Sequence, residues 1–206
     1  MYFEPKYLKD IFTPEVKAEL EAVVEEYHGP DKKFYFDDIS DREVRRAKKL
    51  HKFNELLEPL AKEVFGDDTL RATYSILLTY NKDSHLVGHH DTNANIYTIN
   101  YCVKSNVEWP IWFGDDDERV GLDIPEGEAL AFMGCDDFHY REKTDQEDFF
   151  HAPKGLGQFL GTGMVGQHGT EHQCTQFRAQ THGLKPKAPF FHGARFVVFD
   201  EHIGLL

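Results

Sequence analysis

Cysteine is scarce in this chain. Cys102, Cys135 and Cys174 are three among 206 residues, an odd number widely scattered. No C-x-x-C and no disulfide framework can be read from them, so a reducing cytosol is the expected setting. Long apolar runs are missing as well. Met1 to Lys6 carries no basic stretch followed by an apolar one, and no segment is apolar for long enough to span a membrane. A disulfide-stapled scaffold and a helical membrane protein are thereby excluded, and a cytoplasmic protein is expected. Basic residues are outnumbered, 23 Lys and Arg against 36 Asp and Glu, for a formal net charge of −13. Gripping a phosphate backbone needs clustered cations, so no nucleic-acid partner is expected, and neutral or cationic substrates are favoured. No repeat of solenoid length is present.

Aromatic residues are plentiful, at 14% with 17 Phe, which speaks for a packed core. The length fits a single domain over residues 1–206. Its first third, 1–68, reads as helical. Thr13-Pro14-Glu15 is a helix start, with Val16, Leu20, Val23 and Val24 at helical spacing and Gly29-Pro30 as the stop. Lys33 to Phe36 is a short strand candidate. Ser40 and Glu43 form a capping box, with Ile39 able to staple onto Val44. A second helix is expected from there to about Val64, its buried stripe including Val44, Ala47, Leu50, Phe53, Leu57 and Ala61. Pro59 is expected to kink or divide it. Arg42, Arg45, Arg46, Lys48, Lys49 and Lys52 crowd its polar side, read here as a solvated face rather than an anion-binding patch.

From Leu70 onward the pattern changes to short β-rich runs. They are Ala72–Tyr80, His85–Asp91, Ile96–Val103, Ile111–Phe113, Val120–Ile124, Ala129–Met133, Phe138–Arg141 and Arg195–Asp200. Many short strands at near-regular spacing predict a mainly β core, a sandwich or jelly roll behind N-terminal helices. That core is assigned to 70–143 and 193–203. Residues 144–192 lack periodicity and hold much of the glycine and five histidines, His151, His168, His172, His182 and His192. They read as a lid-like insert. Gly161 to Gly166 matches G-x-G-x-x-G, but neither a clear strand before it nor a helix after it supports a dinucleotide site. His168, His172 and Cys174 fall short of a zinc set.

The chemistry concentrates at His89-His90-Asp91. On a strand, residues i and i+2 share a face, so His89 and Asp91 can point into one cavity while His90 points away. One imidazole and one carboxylate are two-thirds of the facial triad of non-haem Fe(II) oxygenases. The third ligand must come from another strand, and His139 is the best candidate. His151 and His168 compete, but they lie in the irregular insert, where a rigid ligand is harder to hold.

These parts fall in a telling order. His89-x-Asp91 is followed by Tyr97-Thr98-Ile99-Asn100, Trp109-Pro110-Ile111, Gly127 to Phe132, and His139-Tyr140-Arg141-Glu142. So ordered, the chain resembles the Fe(II)/2-oxoglutarate-dependent dioxygenases, with the prolyl-hydroxylase-like branch nearest in flavour. The resemblance runs over about 70–143 and resumes at Gly193 to Phe199. It implies a double-stranded β-helix (jelly roll, cupin-like) with helices packed on its major sheet, an Fe(II) cofactor held by His89, Asp91 and His139, and 2-oxoglutarate and O2 as cosubstrates. It implies hydroxylation with release of succinate and CO2. Related halogenases have a small residue where Asp91 stands, so hydroxylation rather than halogenation is the expected outcome.

The resemblance also implies a basic residue that grips the far carboxylate of 2-oxoglutarate. Gly193-x-Arg195 matches the family's G-x-R/K position, although it lies much farther from the distal histidine than is usual. Arg141 is the alternative, since it shares a strand face with His139. Tyr80 matches a family tyrosine that hydrogen-bonds the same carboxylate. Two other readings remain open, a cupin-like protein binding a metal or small molecule without oxidation, and a non-catalytic scaffold whose basic helix 40–65 binds a partner. Asp136 and Asp137, and the acidic loop Asp115 to Glu118, point toward a cationic substrate, such as a basic amino acid or a lysyl side chain. The sequence does not set the oligomeric state.

Overall fold

A computed structural model describes residues 4–27, 35–37, 42–46, 48–81, 83–92, 95–114, 118–143 and 157–166. All of them belong to the unit Met1–Thr175. The elements are β1 (Lys6–Leu8), α1 (Pro14–Tyr27), β2 (Tyr35–Asp37), β3 (Arg42–Arg46), α2 (Lys48–Phe65), β4 (Arg71–Tyr80), β5 (Leu86–His89), β6 (Tyr97–Ser105), β7 (Ile111–Phe113), β8 (Val120–Leu122), β9 (Ala129–Phe132), β10 (His139–Arg141) and β11 (Gly157–Val165).

The strands form two antiparallel sheets. The major sheet runs β1-β9-β6-β11-β4-β3-β2 and the minor sheet β5-β10-β7-β8. Alternation along the major strands splits the core in two. Leu77 of β4, Ile99 and Tyr101 of β6, Ala129 and Ala131 of β9, and Leu160 and Met164 of β11 face the helices. Their neighbours Leu78, Tyr80, Cys102, Leu130 and Phe132 join Trp109, Ile111, Phe113 and Ile124 in a second core. The fold is mainly β with N-terminal helices, a double-stranded β-helix, as expected.

α1 starts where its cap predicts, with the Val16 amide 3.4 Å from the Thr13 hydroxyl oxygen. α2 buries Leu50, Phe53, Leu57 and Ala61 against the major sheet. It differs from expectation in two ways. The capping box at Ser40 does not begin it, because Arg42–Arg46 is a strand held between β2 and β4, with Val44 opposite Tyr35 and Leu78. Cross-strand pairing and the packing of Val44 on the second core override the local helix signal. Nor does Pro59 divide the helix. Pro59 and Glu55 are both exposed, so the carbonyl deprived of its amide partner faces solvent. On the polar side Lys49 pairs with Glu26 at 2.6 Å and Lys52 with Glu19, which ties α2 to α1.

The larger correction concerns the supposed insert. Residues 157–165 are a strand in the middle of the major sheet, bonded to both β4 and β6. Glycine concealed its periodicity. Leu160, Thr162 and Met164 are buried, while Gly161 and Gly163 occupy the alternate positions with no side chain to show a pattern. Residues 144–156 and 167–192, and the segment 193–203 that carries Arg195, lie outside the described residues.

Candidate metal centre

Two short strands of the minor sheet carry the histidines. β5 ends at His89, and β10 begins at His139, directly opposite in the register. Asp91 follows β5, with its amide donating to the Gly134 carbonyl at 2.7 Å, so the loop after β9 anchors it. The ring centroids of His89 and His139 are 4.4 Å apart. His89 Nε2 lies 3.5 Å from Asp91 Oδ1, and His139 Nε2 lies 4.0 Å from the same oxygen. One ligand atom from each of the three residues falls within 4.8 Å of the others.

Local hydrogen bonds fix which atoms face inward. His89 Nδ1 donates to the Val87 carbonyl and His139 Nδ1 to the Asp137 carbonyl, each at 2.7 Å. A carbonyl only accepts, so Nδ1 carries the proton and Nε2 presents its lone pair to the cavity. On Asp91, Oδ2 is taken by Asn95 Nδ2 at 2.6 Å and Thr98 Oγ1 at 2.8 Å, which leaves Oδ1 toward the imidazoles. Two bare nitrogens and a carboxylate oxygen converging on one point make a donor set that accepts a cation, and Fe(II) suits two imidazoles and a carboxylate.

Electrostatics agree. Burial, with His89 alongside, lowers the His139 imidazole to about 4 against the opposing pull of Asp91, so the ring is neutral at physiological pH. Burial alone would raise the Asp91 carboxyl. Its contacts with His89, His139 and Thr98 outweigh that and hold it below the ordinary value. Phe132 and Phe113 stand 4.9 and 6.1 Å from the His139 ring and 5.2 Å from each other, forming an apolar wall.

Arg141 lies two residues beyond His139 on the same strand and is 1% exposed. Its guanidinium sits 4.9 Å from the centre of the Trp109 ring, and Nη1 donates to the Trp109 carbonyl. Tyr80, also buried, meets Trp109 edge-on at 4.8 Å. Arg141, Tyr80 and Trp109 thus form one cluster inside the β-helix. Asp137, expected to draw a cationic substrate, accepts the Met133 amide at 2.9 Å within its own turn, and burial pushes its carboxyl up to about 6. Asp136 beside it is exposed. Cys102 is free and buried.

Sequence reasoning missed Asn95, Gly134 and the role of Thr98. The signal for Thr98 was its place among inward-facing positions of β6, alternating with Ile99 and Tyr101 of the helix-facing core.

No family model and no curated protein sequence matches the chain. Solved structures do. The fold is that of the 2-oxoglutarate- and Fe(II)-dependent oxygenases. Among those sharing it is the α-ketoglutarate-dependent epimerase SnoN from nogalamycin biosynthesis, with a TM-score of 0.59 at 11% identity over 78% of this chain and 77% of that one. A Pseudomonas putida prolyl-4-hydroxylase matches with a TM-score of 0.57 at 10% identity, over 79% of this chain and 91% of its own. HygX from Streptomyces hygroscopicus, solved with nickel, 2-oxoglutarate and hygromycin B, gives 0.56 at 10% identity, over 79% and 83%. No helix among the described residues is long and apolar enough to cross a membrane.

Proposed function

We propose that the protein is an Fe(II)- and 2-oxoglutarate-dependent dioxygenase that hydroxylates its substrate. The observation that carries this reading is that His89 Nε2 and His139 Nε2 lie 3.5 and 4.0 Å from Asp91 Oδ1, with one ligand atom of each residue within 4.8 Å of the others. It is strengthened by the fold, because neighbours solved with Fe3+ or nickel also hold 2-oxoglutarate.

His89, Asp91 and His139 would hold the iron, two imidazoles and one carboxylate oxygen being the donors they offer. Bound there, iron would supply the oxidising chemistry by which 2-oxoglutarate and O2 give succinate and CO2 while a substrate C–H bond becomes C–OH. The chain's part is placement. Arg141 shares a strand face with His139, and its fork-shaped guanidinium suits the far carboxylate of the keto acid. Tyr80 supports that end from across the Trp109 ring. Arg195, the other candidate for this role, lies outside the described residues. The Phe113 and Phe132 wall excludes water beside His139, which protects a reactive centre from side reactions.

The substrate class is the finer part of the proposal. The acidic whole and exposed Asp136 near the distal ligand support a cationic substrate, a basic amino acid or a lysyl side chain. Asp137, engaged in its turn, lends less. The decisive assay mixes the protein with Fe(II), ascorbate and 2-oxoglutarate and measures succinate, first alone and then with basic amino acids and lysyl peptides. Succinate above the level of His139→Ala is expected. Tight metal binding with no turnover of 2-oxoglutarate would favour the non-oxidative cupin-like reading instead.

A further inference from the structure

We infer that Asn95 and Thr98 are positioning residues that keep Asp91 a one-oxygen metal ligand. The inference rests on the metal-centre reading above. Four observations carry it. Asn95 Nδ2 and Thr98 Oγ1 both donate to Oδ2, at 2.6 and 2.8 Å, and Oδ1 is the oxygen that both Nε2 atoms face. Asn95 is brought there by a turn after Asp91, closed by its own amide donating to the Thr92 carbonyl at 2.8 Å. Asn95 and Thr98 are 5% and 6% exposed, so water does not easily replace their hydrogen bonds.

The remaining observation is that the surroundings are cut to fit. A Cβ at Gly134 would overlap Asp91 Oδ2 and Thr98 Oγ1, and one at Gly163 would overlap Asn95 Oδ1 and Thr73 Oγ1. Gly163 on β11 therefore leaves space for Asn95, and Gly134 in the loop after β9 leaves space for the carboxylate that Asn95 steers. A carboxylate free to rotate can offer both oxygens to a metal and fill a position that an incoming ligand needs. Two donors fixed on Oδ2 oppose that rotation.

The test uses cobalt(II) in place of iron, read by its visible absorption and by titration calorimetry on the full chain. Thr98→Val removes the hydroxyl at nearly constant volume, Asn95→Ala removes the amide, and Thr98→Ser keeps a hydroxyl. Each loss variant is expected to bind cobalt about 10- to 100-fold more weakly. Each is also expected to shift the cobalt bands, the mark of altered coordination that a general loss of stability would not produce. Thr98→Ser is expected to restore both. Wild-type affinity and spectrum in both Thr98→Val and Asn95→Ala would overturn the assignment, and Asn95→Ala alone decides it should Thr98→Val not fold. A wild-type protein that binds no cobalt would instead sink the metal-centre reading beneath it.

Discussion

Replacing Arg141 with methionine tests the cosubstrate site most directly. Arg141 is 1% exposed, and methionine keeps much of its reach without its charge. Breaking a buried ion pair by deleting one partner costs about 3–5 kcal/mol. That corresponds to a loss of about 150- to 5,000-fold in affinity for 2-oxoglutarate. The fold should suffer far less. The hydrogen bond to the Trp109 carbonyl is lost, but the new side chain meets Trp109 and Tyr80, and the desolvation of a buried cation is relieved. The assay is calorimetric titration of 2-oxoglutarate into manganese-loaded protein, with urea unfolding as the control and Arg195→Met in parallel. The expected order is wild type, then Arg195→Met close to it, then Arg141→Met far weaker. Arg141→Met binding within tenfold of wild type, or Arg195→Met showing the greater loss, would refute the placement of the carboxylate at Arg141.

Further consequences are equally concrete. Phe53→Ala empties a site that is 0% exposed between α2 and the major sheet, and should lower stability by about 3–5 kcal/mol in urea unfolding. Gly134→Ala should weaken manganese binding about 10- to 100-fold and lower stability by about 1–3 kcal/mol in urea unfolding, because its methyl overlaps both Asp91 Oδ2 and Thr98 Oγ1. Burial pushes the Cys102 thiol up to about 12. The folded chain therefore holds a proton that the unfolded thiol releases near its ordinary value of about 8.5, so this group's contribution to stability falls as pH rises above that value. Peptide mapping after iodoacetamide treatment at mildly alkaline pH should find Cys102 modified only when urea is present.

The three residues of the candidate centre were legible from residue type and order: the H-x-D spacing singled out His89 and Asp91, although Asp91 lies just beyond β5 rather than on it, and His139 opens a strand just after an apolar one. What stayed hidden depends on partners distant in the chain. Ser40 and Glu43 spell a helix cap to any local reader, yet Arg42–Arg46 pairs with β2 and β4. Gly161 and Gly163 read as a loop because their role is to be absent where Asn95 and Ile76 need space. The hold of Asn95 and Thr98 on Asp91 requires knowing which carboxylate oxygen is already occupied, and no spacing rule carries that.

On the proposed metal-centre reading, the pairing of His89 with His139 would tie folding to metal supply. β5 and β10 are only 4 and 3 residues long, and β5 lies at the rim of its sheet. An ion gripped by one imidazole from each would act as a clasp across that seam, so starving cells of iron should loosen this corner before the helix-backed half of the molecule. Hydrogen exchange at the Val87 and Tyr140 amides, compared with and without manganese, would report how firmly the clasp closes.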